Sequence, residues 1–105
     1  MEVKKNIYYH IKENGRSPIV DWISSLDIKK QVVVDRYIQR VAKGHFNNSV
    51  KSLRDGVFEV KIHYSSGLRV YFGKDANKII LLIGGDKKTQ KRDIKKAKEY
   101  WRYYG

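Results

Sequence analysis

The first part of the chain changes from a strand-like to a helix-like hydrophobic pattern. Val3–Ile11 is rich in β-branched and aromatic residues, which predicts a first strand. Asn14 and Gly15 indicate a turn, and Ser17 followed by Pro18 is typical of a helix N-cap and its first residue. The apolar residues that follow recur at helical spacing and predict one buried face: Ile19, Trp22, Ile23 and Leu26.

A second helix is predicted directly after the first. Asp27 can accept the hydrogen bond that caps its N-terminus, and Gly44 can end it. The β-branched run Val32–Val34 is unfavourable for a helix, because such side chains lose rotamer freedom there. The predicted buried positions are Val34, Tyr37, Ile38 and Val41. Two adjacent helices with so short a joint are expected to form a helical hairpin.

Beyond Lys51 the hydrophobic period changes from 3.6 to 2, which predicts a β-hairpin. Phe58–Tyr64 and Leu68–Phe72 alternate apolar with polar residues, and Ser65–Gly67 suits a three-residue loop with a left-handed glycine. A two-residue loop would mix apolar and polar residues on one face, which sheets avoid. The predicted pairs are Tyr64 with Leu68, Ile62 with Val70, Val60 with Phe72, His63 with Arg69 and Lys61 with Tyr71.

The last third predicts a covered central strand and a C-terminal helix. Lys78–Ile83 carries consecutive branched apolar residues, which suit a strand buried on both faces, and Gly84–Asp86 ends it. A helix from Thr89 presents a narrow apolar seam of Ile94, Ala97, Trp101 and Tyr104. For the aromatic residues of the helices, core packing is favoured over a nucleic-acid platform.

The expected architecture is α+β, in the order β-α-α-β-β-β-α, with a further short strand at Lys51–Leu53 left open. Its sheet is mainly antiparallel, with the helices on one face. The 105 residues are expected to form a single domain, residues 1–105.

Composition narrows the function classes. The net charge is +12, and the excess of cations lies almost entirely after residue 35, which favours a polyanionic partner over a merely soluble surface. The absence of cysteine excludes disulfides and thiolate chemistry. No apolar run is long enough for a membrane span, and no secretory leader is recognisable. A cytoplasmic protein without membrane association is expected.

Metal and nucleotide sites find little support. His10, His45 and His63 are far apart in sequence, without carboxylates at ligand spacing, so no metal site is predicted. Gly84 and Gly85 lack the companions of a phosphate-binding loop. No cofactor is predicted.

The polar face of the hairpin is the candidate for chemistry, and it consists of Glu59, Lys61, His63, Arg69 and Tyr71. It is either an ordinary solvated sheet face or a site for metal-free RNA cleavage. In the second case His63 carries a proton and Arg69 holds the phosphate. Lys61 or Lys88 adds charge, and Tyr71 stacks on a base or donates a hydrogen bond.

The motifs of this chain resemble those of the RelE/ParE superfamily of type II toxins, in particular its HigB-like "addiction module killer protein" branch. The resemblance extends from Gly15 to Tyr104. It rests on Ser17-Pro18, Asp21-Trp22, Leu26-Asp27, Lys51-x-Leu53, Gly56-Val57-x-Glu59, Ile62-His63-Tyr64, Gly67-x-Arg69-Val70-Tyr71-Phe72, Leu81-Leu82-x-Gly84-Gly85-Asp86-Lys87-x-x-Gln90 and Asp93-Ile94-x-x-Ala97.

The resemblance implies a toxin that cleaves messenger RNA on the ribosome and is neutralised by an antitoxin, usually a small helix-turn-helix protein. Arg69 matches the arginine that contacts the scissile phosphate in such nucleases. Lys88 or Lys87 matches a basic residue beyond the Gly-Gly turn, and Lys61 corresponds loosely to a lysine of the preceding strand. The late tyrosine of some relatives is replaced by Ile94, which leaves the proton carriers unassigned.

Further RNA contacts are expected from the basic residues around the hairpin and on the last helix, together with one glutamine: Lys51, Arg54, Lys87, Gln90, Lys91, Lys95 and Lys96. The basic back of the last helix is a solubility surface, a footprint for ribosomal RNA or a dock for an acidic antitoxin segment. Two other functions stay open. One is a ParE-like toxin that binds DNA gyrase, and the other is an inactive RNA-binding relic.

Overall fold

The α+β class predicted from the sequence is confirmed in the computed structural model of the protein, which describes residues 4–45, 48–65 and 67–104. The elements in chain order are β1 (Asn6–Tyr9), α1 (Pro18–Ser25), α2 (Ile28–Ala42), β2 (Val50–Ser52), β3 (Val57–Ile62), β4 (Leu68–Asp75), β5 (Lys78–Gly85) and α3 (Gln90–Trp101), which ends in a 3-10 turn (Arg102–Tyr104).

One mixed sheet carries the fold, in the strand order β1-β5-β4-β3-β2. Among the described residues, β1 pairs with β5 in parallel, and the other neighbouring strands are antiparallel. The strand left open at Lys51–Leu53 exists as β2. The first strand is shorter than the predicted Val3–Ile11, and Val3 itself lies outside the described residues.

The first two helices begin where local capping predicts. Ser17 Oγ accepts from Val20 N at 3.4 Å, and Asp27 Oδ1 accepts from Lys30 N at 2.9 Å. Both helices pack on the sheet, α1 on β5 and α2 on β3, and their association as a helical hairpin stays a prediction. Trp22 of α1 lies so close to Gly84 of β5 that a Cβ there would come within 2.1 Å of the indole.

The expectation that all helices share one face of the sheet is wrong. α1 and α2 cover the face that carries Val60, Val70 and Leu81, whereas α3 covers the face that carries Tyr71 and Leu82. The physical reason lies in β5, whose consecutive apolar residues point to both faces and therefore need cover on both.

Trp101, at the C-terminal end of α3, packs on the sheet. A Cβ on Gly73 of β4 would come within 2.2 Å of its indole, and one on Gly56, before β3, within 2.5 Å. Core packing of Trp22 and Trp101 is thus confirmed, whereas Tyr104 is partly exposed. None of the helices in the described ranges has the length and apolarity that a bilayer crossing requires.

The register of the central hairpin differs from the prediction by two residues. Val60 pairs with Val70, Ile62 with Leu68 and Lys61 with Arg69. Strand β3 ends at Ile62, because Tyr64 N turns back to Ile62 O and His63 N donates to the Tyr37 hydroxyl of α2. Tyr64 consequently leaves the sheet. A shift of two residues keeps every side chain on its predicted face.

Candidate functional site

Cationic residues meet at the end of the sheet where β3 and β5 finish and β4 begins. Lys61, Arg69 and Gly85 are direct neighbours across the three strands. Lys87 and Lys88 follow in the turn after β5, and their side chains are exposed, like that of Lys61. The register therefore places Arg69 between Lys61 and this turn. We call this group the cationic row.

Arg69 is the best-defined member of the cationic row. Its side chain is only 6% exposed. Nη1 donates to Gly67 O at 2.9 Å, and Nε lies 3.8 Å from Glu59 Oε2 without a hydrogen bond of its own. The guanidinium is held by an ion pair on one side and a loop carbonyl on the other. Such a fixed fork loses little side-chain entropy when an anion reaches its exposed edge.

Glu59 links the sheet to α3. Its Oε2 accepts from Gln90 Nε2 at 3.0 Å, so the glutamine predicted to contact RNA instead holds the carboxylate that faces Arg69. Glu59 stood in the predicted polar face without an assigned role. The signal that could have identified it is the placement of a single acid among basic and aromatic residues, since a buried charge requires a partner.

The turn before α3 is capped within itself. Asp86 Oδ1 accepts from Lys88 N at 2.8 Å and from Thr89 N at 3.2 Å, and the Thr89 hydroxyl contacts buried Asp93. Gly85 is required here, because a Cβ would collide with Asp93 Oδ2. These contacts went unrecognised in the sequence, although an aspartate side chain commonly accepts from the backbone two residues ahead, as Asp86 does from Lys88 N. They fix the backbone that carries Lys87 and Lys88.

Tyr71 does not lie where the sequence suggested. It is 0% exposed, directly opposite Glu59 and beneath α3, and therefore cannot stack on a base in this structure. Its hydroxyl has no hydrogen-bond partner of good geometry. Burial, followed by the nearby Glu59 carboxylate, raises the pKa of Tyr71, so the phenol stays neutral. The predicted stacking or donating role is corrected to packing.

Tyr71→Phe is expected to leave the free energy of unfolding within about 1 kcal/mol of the wild type, because the change removes a buried hydroxyl whose contact with Glu59 lacks good hydrogen-bond geometry. Urea unfolding measures this difference. The matched control is Phe72→Leu, which replaces the buried ring of the next residue by a smaller side chain and should lower the free energy of unfolding by more. A loss above about 2 kcal/mol for Tyr71→Phe would mean that the hydroxyl is hydrogen-bonded after all.

The remaining predicted residues lie on β2, in the loops before and after β3, and on α3. Lys51 of β2 is exposed and lies opposite Glu59 in the strand register, beside the cationic row. His63 is exposed in the loop after β3 and does not oppose Arg69, which corrects the predicted pair. Arg54 is exposed before the start of β3, roughly 13 Å or more from the Lys61 end by strand rise. The exposed lysines of α3 are Lys91, Lys95 and Lys96.

His10 forms a second buried polar feature, which the sequence did not reveal. It lies just after β1, 2% exposed, with Nδ1 2.7 Å from the Tyr104 hydroxyl and its ring stacked on Tyr100. Burial, followed by the charge of Lys12, lowers the pKa of His10. Tyr103 completes the surrounding rings. Within the described ranges, no three His, Asp or Glu side chains are placed to share a metal ion.

The free energy of unfolding is expected to fall as the pH drops from about 7.5 to 5.5. The pKa of His10 in the folded state lies below its unfolded value of about 6.5, so in this range the unfolded chain binds more protons. Burial raises the pKa values of Tyr100 and Tyr104, which therefore stay neutral. Urea unfolding at several pH values measures the effect.

The control for this pH dependence is His10→Phe, which keeps an aromatic ring but has no proton to gain. It should flatten the dependence, whereas His63→Asn, at an exposed histidine, should retain it. An unchanged pH dependence in His10→Phe would contradict the assignment to His10.

The fold and the cationic row define a small α+β protein whose sheet ends in a buried, ion-paired arginine. Residues 21–102 match the family described as phage derived protein Gp49-like (DUF891). An uncharacterized protein of Haemophilus influenzae is 40% identical over 79 residues, which cover 73% of this chain and 79% of that relative. The chain belongs to the Gp49-like family, a toxin-like family related to the RelE and HigB addiction modules. The HigB-like branch stays a prediction.

Proposed function

We propose that this protein is the toxin of a type II toxin-antitoxin system and that it cleaves messenger RNA on the ribosome without a metal ion. The observation that carries the proposal is the geometry of the cationic row, in which Glu59 and Gly67 hold Arg69 between Lys61 and the turn of Lys87 and Lys88. Membership of a toxin-like family supports the same class.

The proposed reaction uses the RNA's own 2′-OH as nucleophile. The 2′ oxygen forms a bond to the adjacent phosphorus while a base takes its proton. The bond from phosphorus to the 5′ oxygen breaks as an acid protonates that oxygen. Arg69 contacts the phosphate, whose negative charge grows in the transition state, and Lys61 and Lys88 add positive charge. His63, exposed on the adjoining loop, is the proposed proton carrier.

Binding to the ribosome is assigned to the exposed lysines outside the cationic row. Lys91, Lys95 and Lys96 lie on the solvent side of α3, and Lys51 lies beside Glu59. Lysines attract the phosphates of ribosomal RNA over long distances, without reading its sequence. In the cell an antitoxin is proposed to bind the protein and prevent this activity.

Primer extension on messenger RNA after a brief induction tests the proposal. Discrete cleavage positions within translated codons are expected for the wild type and not for Arg69→Ala at equal expression. Cleavage that persists when translation initiation is blocked would contradict ribosome dependence. Intact messenger RNA together with DNA breaks would instead favour a toxin that binds gyrase.

A further inference from the structure

An apolar groove with a basic rim lies on the outer side of α2. It encloses about 290 Å³ between the helix and the loop after β3. Ile28 is 71% exposed and Val32 is 46% exposed, although both are aliphatic and lie one helical turn apart. The groove is lined by Ile28, Lys29, Val32, Val33, Arg36 and Tyr64.

The chemistry of this lining indicates what the groove would bind. The three aliphatic side chains of the lining, Ile28, Val32 and Val33, are complementary to apolar side chains of a ligand. These three side chains offer RNA neither hydrogen bonds nor stacking surfaces. Lys29 and Arg36 add two positive charges, and no acid lines the groove among the residues that the structure describes. The complementary ligand is therefore a protein segment with aliphatic anchors about one helical turn apart and acidic residues beside them.

The groove also adjoins the loop that holds Arg69. Tyr64, which forms one wall, accepts a hydrogen bond from Gly67 N at 3.3 Å through its carbonyl. Gly67 O in turn accepts from Arg69 Nη1 at 2.9 Å. Tyr37 of α2 contacts the same loop through His63 N. A ligand that packs on Tyr64 would thus contact a residue that is linked to the Arg69 guanidinium through two successive hydrogen bonds.

We propose that this groove is the docking site of the antitoxin, through an acidic amphipathic segment whose aliphatic anchors pack on Ile28, Val32 and Tyr64. The inference rests on the proposed toxin function. Docking would place the antitoxin beside the loop whose Gly67 carbonyl accepts from Arg69.

Substitution in the groove tests this assignment. The probe is the protein encoded by the gene adjacent to this one, titrated against the purified wild-type chain and its variants. Val32→Glu should weaken binding by roughly 100-fold, because the change puts a carboxylate among apolar groups and opposite acids. The matched control is Val20→Glu, at a 41% exposed valine of α1 outside the groove, and it should bind like the wild type.

Two further measurements accompany the titration. Val32→Glu alone should arrest growth like the wild type, and the partner should no longer rescue it. In the wild-type complex, hydrogen exchange at the amides of Tyr64 and Gly67 should slow relative to the free chain.

The possible outcomes separate the inference from the proposed function. Equal affinity of Val32→Glu and the wild type would overturn the groove assignment alone. Weaker ribosome binding by Val32→Glu with an intact complex would make the groove an RNA contact and also overturn it. A wild-type chain that neither arrests growth nor binds the probe would contradict the toxin function, and the inference with it.

Discussion

Arg69→Ala is expected to slow single-turnover cleavage of messenger RNA in programmed ribosomes by about 100–1000-fold. The reason is that the guanidinium is held in place by Glu59 and Gly67 before the substrate arrives. Its contact with the phosphate would strengthen as negative charge develops in the transition state. Ribosome affinity, measured in parallel, should change little, because the many other cations of the chain share that attraction.

Two further variants show whether this loss concerns chemistry or folding. Arg69→Lys keeps a cation near Glu59 but loses the planar fork. This variant should therefore stay folded and yet cleave messenger RNA more slowly than the wild type. Arg16→Ala removes an exposed arginine from a surface ion pair with Asp21 and should cleave like the wild type. Full cleavage by folded Arg69→Ala would refute the cationic row as the active site.

Glu59→Ala is expected to lower the free energy of unfolding by about 3–5 kcal/mol, because it leaves a buried guanidinium without a counter-charge. Both partners of the pair are nearly inaccessible, and Gln90 also loses its acceptor. Urea unfolding followed by circular dichroism measures the loss. The control is Asp21→Asn, in the exposed pair with Arg16, where a change of at most about 1 kcal/mol is expected.

A double-mutant cycle tests the pairing itself. Because Glu59→Ala and Arg69→Ala each leave one buried charge alone, the double variant should lose far less than the sum of the two single losses. Additive losses would mean that the two side chains do not interact. Cleavage by Glu59→Gln, which keeps the shape of the side chain, should fall if Glu59 positions Arg69 and stay unchanged if it only packs.

Helices and strands were predictable because their signals are local. Ser17 and Asp27 cap helices with side chains that reach backbone amides three residues ahead. The change of hydrophobic period after Lys51 marks the sheet, since residues two apart share a face. The predicted cationic residues Lys61, Arg69 and Lys88 also come together, because the hairpin and the turn after β5 finish at the same end.

The pairing of the hairpin could not be predicted in the same way. Registers that differ by two residues bury the same side chains, so the alternating pattern cannot distinguish them. The tertiary structure decides between them through contacts outside the hairpin, such as that of Tyr37 with His63 N. The choice matters for the site, because it places Lys61 and not His63 beside Arg69.

The α+β class, the helix starts, the faces of the hairpin strands and a basic surface suited to a polyanion could all be inferred from the sequence alone. These follow from neighbouring residues and from charge. The position of α3 across the polar face could not be inferred in this way, because periodicity tells which side chains share a face and not which element covers that face. That cover buries Tyr71, pairs Glu59 with Arg69 and turns Gln90 inward. A buried arginine requires a counter-charge, and the fold supplies it from a different strand.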